Sequence, residues 1–140
     1  MKTPLPTQSE MDELIQFLPK LYVEGFESVR EPTDARMQEN GLIEMAPTEY
    51  DDQVTEFFQA ASKDAWRDTK YLSTLAGEML RSPGSIKAAS LKEVRSMLTL
   101  CVRGERFCDG FWESVICGGQ IRLILTRLQV LRFALVPYSM

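Results

Sequence analysis

Residues 90–102 read SLKEVRSMLTLCV, and this stretch decides the fold. Ser90 is followed three residues later by Glu93, which is the pattern of a capping box, where each residue satisfies a free N–H at a helix start. Apolar residues then recur at helical spacing, at Leu91, Val94, Leu98, Cys101 and Val102. The stretch therefore predicts an amphipathic helix with one face in the core.

Helical periodicity recurs on both sides of this stretch. A capping box at Ser9 and Asp12 predicts a first helix, which Pro19 kinks or ends. Apolar spacing predicts four further helices, which begin near residue 51, near residue 69, after Gly110 and at residue 121. The helix from about residue 69 ends before Pro83. Residues 25–47 show no sustained period and predict a long loop or a minor hairpin. No segment alternates apolar and polar residues for long. We expect an all-α fold of five or six helices.

Length and composition predict a single compact domain. The chain has 140 residues, of which 44% are hydrophobic and 26% charged, as is usual for one globular domain. We expect it to span residues 1–140, with 1–8 as a flexible N-terminus. No apolar run follows Lys2, which argues against a signal peptide, and three arginines interrupt the apolar stretch 121–136, which argues against a membrane span. The cytoplasm is the expected compartment.

The chain contains no histidine. This absence excludes Ser-His and Cys-His nucleophile pairs, a histidine base and the commonest metal ligand. The three cysteines, Cys101, Cys108 and Cys117, are spaced seven and nine residues apart, which matches no zinc pattern, and they cannot all pair as disulfides. We therefore predict no metal, no cofactor and no catalytic residue.

Charge is unevenly distributed along the chain. The net charge is −4, but residues 1–70 carry 7 Lys+Arg against 15 Asp+Glu, whereas residues 71–140 carry 9 against 5. The second half could present a surface for a polyanion, or the two halves could neutralise each other across the fold. We favour neutralisation because the basic residues are scattered. Nucleic acid is thus a possible but disfavoured partner.

Aromatic side chains stand beside basic ones in two places. Trp66 precedes Arg67, and Phe107, Phe111 and Trp112 follow Arg103 and Arg106. These two arginines are three residues apart and could form one basic edge. Stacking of bases on such a surface is one interpretation. The other is that the aromatic side chains pack in the core, which we favour because aromatics at helical spacing usually face inward.

Two charged residues fall on apolar helix faces. Glu105 lies one turn after Cys101 and Val102, and Arg127 lies between apolar residues at three and four positions on either side. A buried charge without a partner is costly, so we expect the Arg127 guanidinium to reach the carboxylate of Glu105 or Asp109. The pair would either fix the packing of two helices or form a ligand or acid–base site.

The same region contains the motif Leu98-Thr99-x-x-Val102-Arg103-x-Glu105-Arg106-Phe107-x-x-Gly110. This motif resembles the signature of a bacterial family known only as a domain of unknown function. The resemblance continues in residues 14–19 and 50–58, and in a final helix with Ile121, Leu125, Arg127 and Leu128 after Gly119. It implies that the domain covers most of the chain, and it implies no activity.

The sequence leaves the function unknown and supports three hypotheses. The first is a non-catalytic interaction or accessory module with a protein partner, which could be a second copy, because eleven of the residues from 121 to 136 are apolar. The second is a binder of a small anionic ligand or nucleic acid through arginines of the second half. The third and least favoured is an enzyme using Glu105 and Arg127. The candidate ligand-binding residues are Arg103, Glu105, Arg106, Asp109 and Arg127.

Overall fold

Eight α-helices form the fold in the computed structural model, which describes residues 5–29, 49–71 and 74–134. Five of them have seven or more residues, and the other three have five. The described residues contain no strand beyond one isolated bridge between Val29 and Tyr50. The prediction of an all-α fold is confirmed. The helices are α1 (Gln8–Ile15), α2 (Phe17–Leu21), α3 (Asp52–Ala61), α4 (Ala76–Leu80), α5 (Pro83–Lys87), α6 (Leu91–Phe107), α7 (Phe111–Cys117) and α8 (Gln120–Ala134), with a 3-10 turn at Asp64–Trp66.

The longest helix, α6, begins as the sequence predicts. The Ser90 hydroxyl accepts a hydrogen bond from the Glu93 N–H at 3.1 Å, and the Glu93 carboxylate accepts one from the Ser90 N–H at 2.9 Å. Its apolar stripe is buried at Val94, Met97, Leu98 and Cys101. This helix packs against α3, α4, α7, α8 and the 3-10 turn, so the side chains on its surface border several elements at once.

The last helix, α8, lies mainly inside the domain. It packs against α1, α5, α6 and α7, and it buries Ile121, Ile124, Leu125 and Leu128 completely. Leu123 and Leu131 are partly buried against the core, so six of the nine apolar residues in α8 are accommodated within one chain. Among the described helices, none combines the length and the apolar character that crossing a bilayer requires.

Local signals at the N-terminal helices differ from the prediction. The first capping box is formed by Thr7 and Glu10, two residues before the predicted one, because the Thr7 hydroxyl accepts from the Glu10 N–H at 3.3 Å. Thr7 and Gln8, which the sequence places in a flexible N-terminus, thus cap and begin α1. Pro83 begins α5 as its first residue, where its missing N–H costs no helical hydrogen bond.

Of the long loop predicted between residues 25 and 47, the structure describes only residues 25–29. The Asp51 N–H donates to the Ser28 carbonyl at 2.9 Å, next to the bridge between Val29 and Tyr50. The small hairpin that the sequence allows there falls on residues 30–47, which lie outside the described residues. The chain that enters α3 is therefore tied to the segment that follows α2.

Candidate functional site: an arginine cleft

A cleft of about 110 Å³ lies between the end of α3, the chain after the 3-10 turn and the middle of α6. Three of the residues that line it are arginines, Arg67, Arg103 and Arg106, and we call it the arginine cleft. The rest of the lining consists of small, hydroxyl and apolar residues: Ala61, Ser62, Thr99 and Val102. Among the described residues, none that lines the cleft is a carboxylate.

Two separate elements bring these arginines together. Arg103 and Arg106 are three residues apart on α6, so they lie on neighbouring positions of one helix face. Arg67 follows the 3-10 turn, whose last residue, Trp66, is 1% exposed and anchors the turn in the core. The cleft therefore exists only because the turn packs against α6.

A hydrogen-bond network fixes the Arg67 segment on α6. The buried Thr99 hydroxyl accepts from the Asp68 N–H at 3.0 Å and lies 2.9 Å from the carbonyl oxygens of both Trp66 and Arg95, which share its proton. The Ser96 hydroxyl donates to the Asp68 carboxylate. These bonds hold the backbone on both sides of Arg67 against one helix.

The pKa of Asp68 reflects this network. Partial burial of the carboxyl acts to raise its pKa, but hydrogen bonds from Ser96 and the Lys70 N–H, together with the charges of Arg95 and Lys92, lower it below its ordinary value. The ionised carboxylate is therefore the form that the folded chain stabilises.

Little negative charge opposes the arginines. Arg67 lies 3.4 Å from the carboxylate of Asp64, but both side chains are largely exposed, at 53% and 93%, so water screens this pair. The Arg103 guanidinium lies 5.6 Å from the centre of the Tyr71 ring, a contact that leaves its charge in place. Within the described residues neither Arg103 nor Arg106 forms an ion pair. The cleft thus presents a concentrated positive charge.

Glu105 lies outside the cleft and caps α7. Its carboxylate accepts hydrogen bonds from the Tyr50 hydroxyl at 2.8 Å, the Trp112 N–H at 3.0 Å and the Gly110 N–H at 3.0 Å. Burial and this bond to Glu105 raise the pKa of Tyr50 above its ordinary value. Gly110 adopts a positive φ of 89°, which lets the chain reverse between the two helices. We call these four residues the α6–α7 junction.

Close packing surrounds the junction. The Trp112 ring stacks on Phe58 with centroids 4.3 Å apart, and its indole N–H donates to the Cys101 carbonyl at 3.1 Å. A Cβ added at Gly104 would lie 2.4 Å from the Phe111 ring, so glycine is required for this approach. The Glu105 carboxylate thus accepts hydrogen bonds from three donors of the fold and acts there as a structural acceptor.

The predicted ion pair of Arg127 with Glu105 or Asp109 is wrong. The Arg127 side chain donates to the Ala89 carbonyl at 2.7 Å, next to the start of α6, and no ion pair among the described residues joins it to either carboxylate. Glu105 is sixteen residues further along the chain than Ala89, about 24 Å at 1.5 Å per residue. The packing of α8 places Arg127 at the opposite end of α6, so the two charges find separate backbone partners.

The structure thus brings two of the predicted site residues together and places the other three elsewhere. Arg103 and Arg106 meet in the cleft and are joined by Arg67, whereas Glu105, Asp109 and Arg127 lie elsewhere. The core packing predicted for the aromatics holds for Trp66 but is wrong for Phe107, which is 82% exposed. Within the described residues, no three acidic or cysteine side chains converge as metal ligands.

Comparison with known proteins yields a family without an activity. A family model described as a family of unknown function, DUF6508, matches residues 6–133. No curated protein and no solved structure matches the chain significantly. The match covers every described helix but the last residue of α8.

Proposed function

The chain belongs to the DUF6508 family, whose function is unknown, and from this premise we propose that it is a non-catalytic binding module that holds an anionic group in the arginine cleft. The observation that carries the proposal is the convergence of Arg67, Arg103 and Arg106 from two elements on one cleft. Like charges held together repel each other, and a bound anion removes this cost. The planar guanidinium also matches the oxygens of phosphate and carboxylate groups.

The chemistry of the lining favours binding over catalysis. Its polar groups, apart from the arginines, are two hydroxyls, and both are engaged: Ser62 donates to the Gln59 carbonyl at 2.7 Å, and Thr99 belongs to the network with Asp68. Within the part of the chain that the structure describes, the lining holds no carboxylate, thiol or imidazole that could accept a proton or attack a substrate. A ligand held there would be bound and released unchanged.

Binding of pyrophosphate to the purified chain tests this proposal. We expect pyrophosphate to raise the melting temperature of the wild type, because a ligand that binds only the folded state stabilises it. The double variant Arg103→Gln with Arg106→Gln should lose this stabilisation and retain its fold, since both side chains reach solvent. The matched control is Arg81→Gln, an exposed arginine at the end of α4.

Two results would overturn the proposal. Pyrophosphate could leave the wild type unchanged across a titration into the millimolar range. Alternatively, Arg81→Gln could reduce the effect as much as the cleft variants do, which would mean that the anion responds to the overall charge of the protein.

We also propose, as a second property, that the chain self-associates through α8. Val130 and Phe133 are three residues apart on this helix and are 52% and 80% exposed, and adjacent exposed apolar side chains of this size are unusual on a monomer. Light scattering should give twice the mass of 16.0 kDa, and Phe133→Ser should shift it towards the monomer. A monomeric wild type at high concentration contradicts this property.

The cysteines are unpaired, which supports the cytoplasm as the proposed compartment.

A further inference from the structure

We infer that the partner of the arginine cleft is a protein segment that carries a phosphorylated side chain next to an apolar residue, the phosphate entering the cleft and the apolar residue packing on Phe107. This inference rests on the proposed function, since it names the ligand of the same cleft. It follows from the size of the cleft, from its charge and from the surface beside it.

The size of the cleft limits what can enter. Pockets that enclose whole small molecules usually measure about 300–1,000 Å³, whereas the arginine cleft has about 110 Å³. A nucleotide or a metabolite of that size would remain largely outside. A single phosphate or carboxylate group fits, with the rest of its carrier lying on the surface of the protein.

The charge of the cleft favours a phosphate. Three arginines line the space, and Asp64 offsets Arg67 only through a screened contact. A phosphorylated side chain carries a charge of about −1.5 to −2 and three acceptor oxygens, so it can engage more than one arginine at once. A carboxylate carries only a single negative charge and two oxygens, and it leaves more of the positive charge unbalanced.

The surface beside the cleft resembles a protein interface. Phe107 is four residues after Arg103 and directly follows Arg106, so it borders the same face of α6, and it is 82% exposed. Aromatic residues and arginine are the residue types that contribute most to protein–protein contacts. An exposed phenylalanine next to an anion site suits a peptide in which an apolar residue adjoins the phosphate.

Nucleic acid fits this surface less well. A polynucleotide needs a track of basic residues for successive phosphates, and the whole chain has a net charge of −4. Asp64 borders the cleft beside Arg67, and Glu113 is exposed just beyond the end of α6. These carboxylates would repel the neighbouring phosphates of a strand, but they allow one isolated phosphate to bind.

The test uses a degenerate peptide library with a fixed central phosphoserine and, as its counterparts, the same library with serine or with glutamate at that position. We expect the chain to select the phosphorylated pool and to select apolar residues at one flanking position. A peptide made from the selected sequence should bind at least about tenfold more tightly than inorganic phosphate, because it adds the contact with Phe107.

Two variants separate the parts of the surface. Arg103→Gln should abolish the preference for the phosphorylated pool. Phe107→Ser should leave the affinity for inorganic phosphate unchanged and weaken the selected peptide by about fivefold or more, since a side chain at an interface hot spot contributes more than 1 kcal/mol. Phe107 is exposed, so its replacement should leave the melting temperature of the chain unchanged.

The outcomes distinguish this inference from the proposed function. If inorganic phosphate binds through Arg103 but the phosphorylated pool binds no better than the serine pool, the inference fails and the proposed function stands. Tighter binding of an oligonucleotide such as dT20 than of the selected peptide also refutes the inference. If neither phosphate nor any peptide binds through Arg103, both fail.

Discussion

Replacing Glu105 by glutamine should destabilise the fold, because its carboxylate is the shared acceptor of the α6–α7 junction. It accepts three hydrogen bonds, from the Tyr50 hydroxyl and from the N–H groups of Gly110 and Trp112, at 2.8–3.0 Å. Glutamine has the same shape, but it has no charge and only one accepting oxygen. At least one of the three donors would therefore face an amide NH₂ group in place of an acceptor.

The magnitude follows from these three bonds. A hydrogen bond to a charged group contributes about 1.5–3 kcal/mol and one between neutral groups about 0.5–1.5 kcal/mol. Glu105→Gln loses one bond and weakens two. The total is the loss of one charged bond plus the weakening of the two others. Because Glu105 is half-buried and water can reach part of the junction, we expect each contribution to be small, and the free energy of unfolding to fall by about 2–3 kcal/mol in all.

The assay is a pair of double-mutant cycles measured by urea denaturation. Glu105→Gln with Tyr50→Phe should show a coupling of about 1 kcal/mol, since the two side chains are hydrogen-bonded. Glu105→Gln with Arg127→Met should be additive within about 0.5 kcal/mol, because the residues lie at opposite ends of α6. The charge control is Glu113→Gln, exposed in the first turn of α7.

The two cycles together can refute the reasoning. A coupling above 1 kcal/mol between Glu105 and Arg127 would restore the ion pair that the sequence predicted and contradict the observed packing of α8. A loss in Glu105→Gln no larger than in Glu113→Gln would show that the carboxylate is not the acceptor that begins α7.

Three further predictions concern other parts of the fold. Gly104→Ala should lower the free energy of unfolding by about 1–3 kcal/mol through overpacking against Phe111, although alanine favours helix. Gly77→Ala should be neutral or stabilising, because its Cβ would meet its nearest neighbour at an ordinary 3.7 Å. Thermal melts compare the two variants. Burial raises the pKa of the Cys101 thiol to about 12, so a thiol reagent at pH 8 should modify two of the three cysteines in the folded chain and the third only on unfolding. Because the pKa of Asp68 is lowered in the folded state, its contribution to stability is present above the unfolded pKa of about 3.9 and is lost as the pH falls through the folded value. Asp68→Asn should therefore lower the urea midpoint at pH 6 and reduce the difference between the midpoints at pH 6 and pH 3. An unchanged difference between these midpoints would contradict this prediction.

Signals that act within a few residues could be predicted from the sequence. The capping box of Ser90 and Glu93 joins residues three apart, so their spacing alone predicts the start of α6. The same holds for the adjacency of Arg103 and Arg106 on one helix face. The prediction that the chain belongs to a family of unknown function is confirmed by the match over residues 6–133.

Contacts that depend on how helices cross could not be predicted in the same way. Glu105 stands out in the sequence as a charge on an apolar face, but the sequence does not say which helix faces it. Its two backbone donors lie only five and seven residues further on, at Gly110 and Trp112, and a break at glycine followed by a helix start was the local signal for them. The addition of Arg67 to the cleft needs the packing of the 3-10 turn on α6, which no local spacing encodes.

The arginine cleft is held from both of its sides, and this supports its role as a preformed site. On one side, Thr99 and Ser96 bind the Asp68 segment and so fix the chain beside Arg67. On the other, the hydrogen bonds of Glu105 secure the end of α6 that carries Arg103. Arginines on fixed backbones lose less conformational freedom when an anion binds, so more of the interaction energy remains as affinity. Glu105, predicted as a ligand-binding residue, thus positions the helix that carries Arg103 in the proposed site.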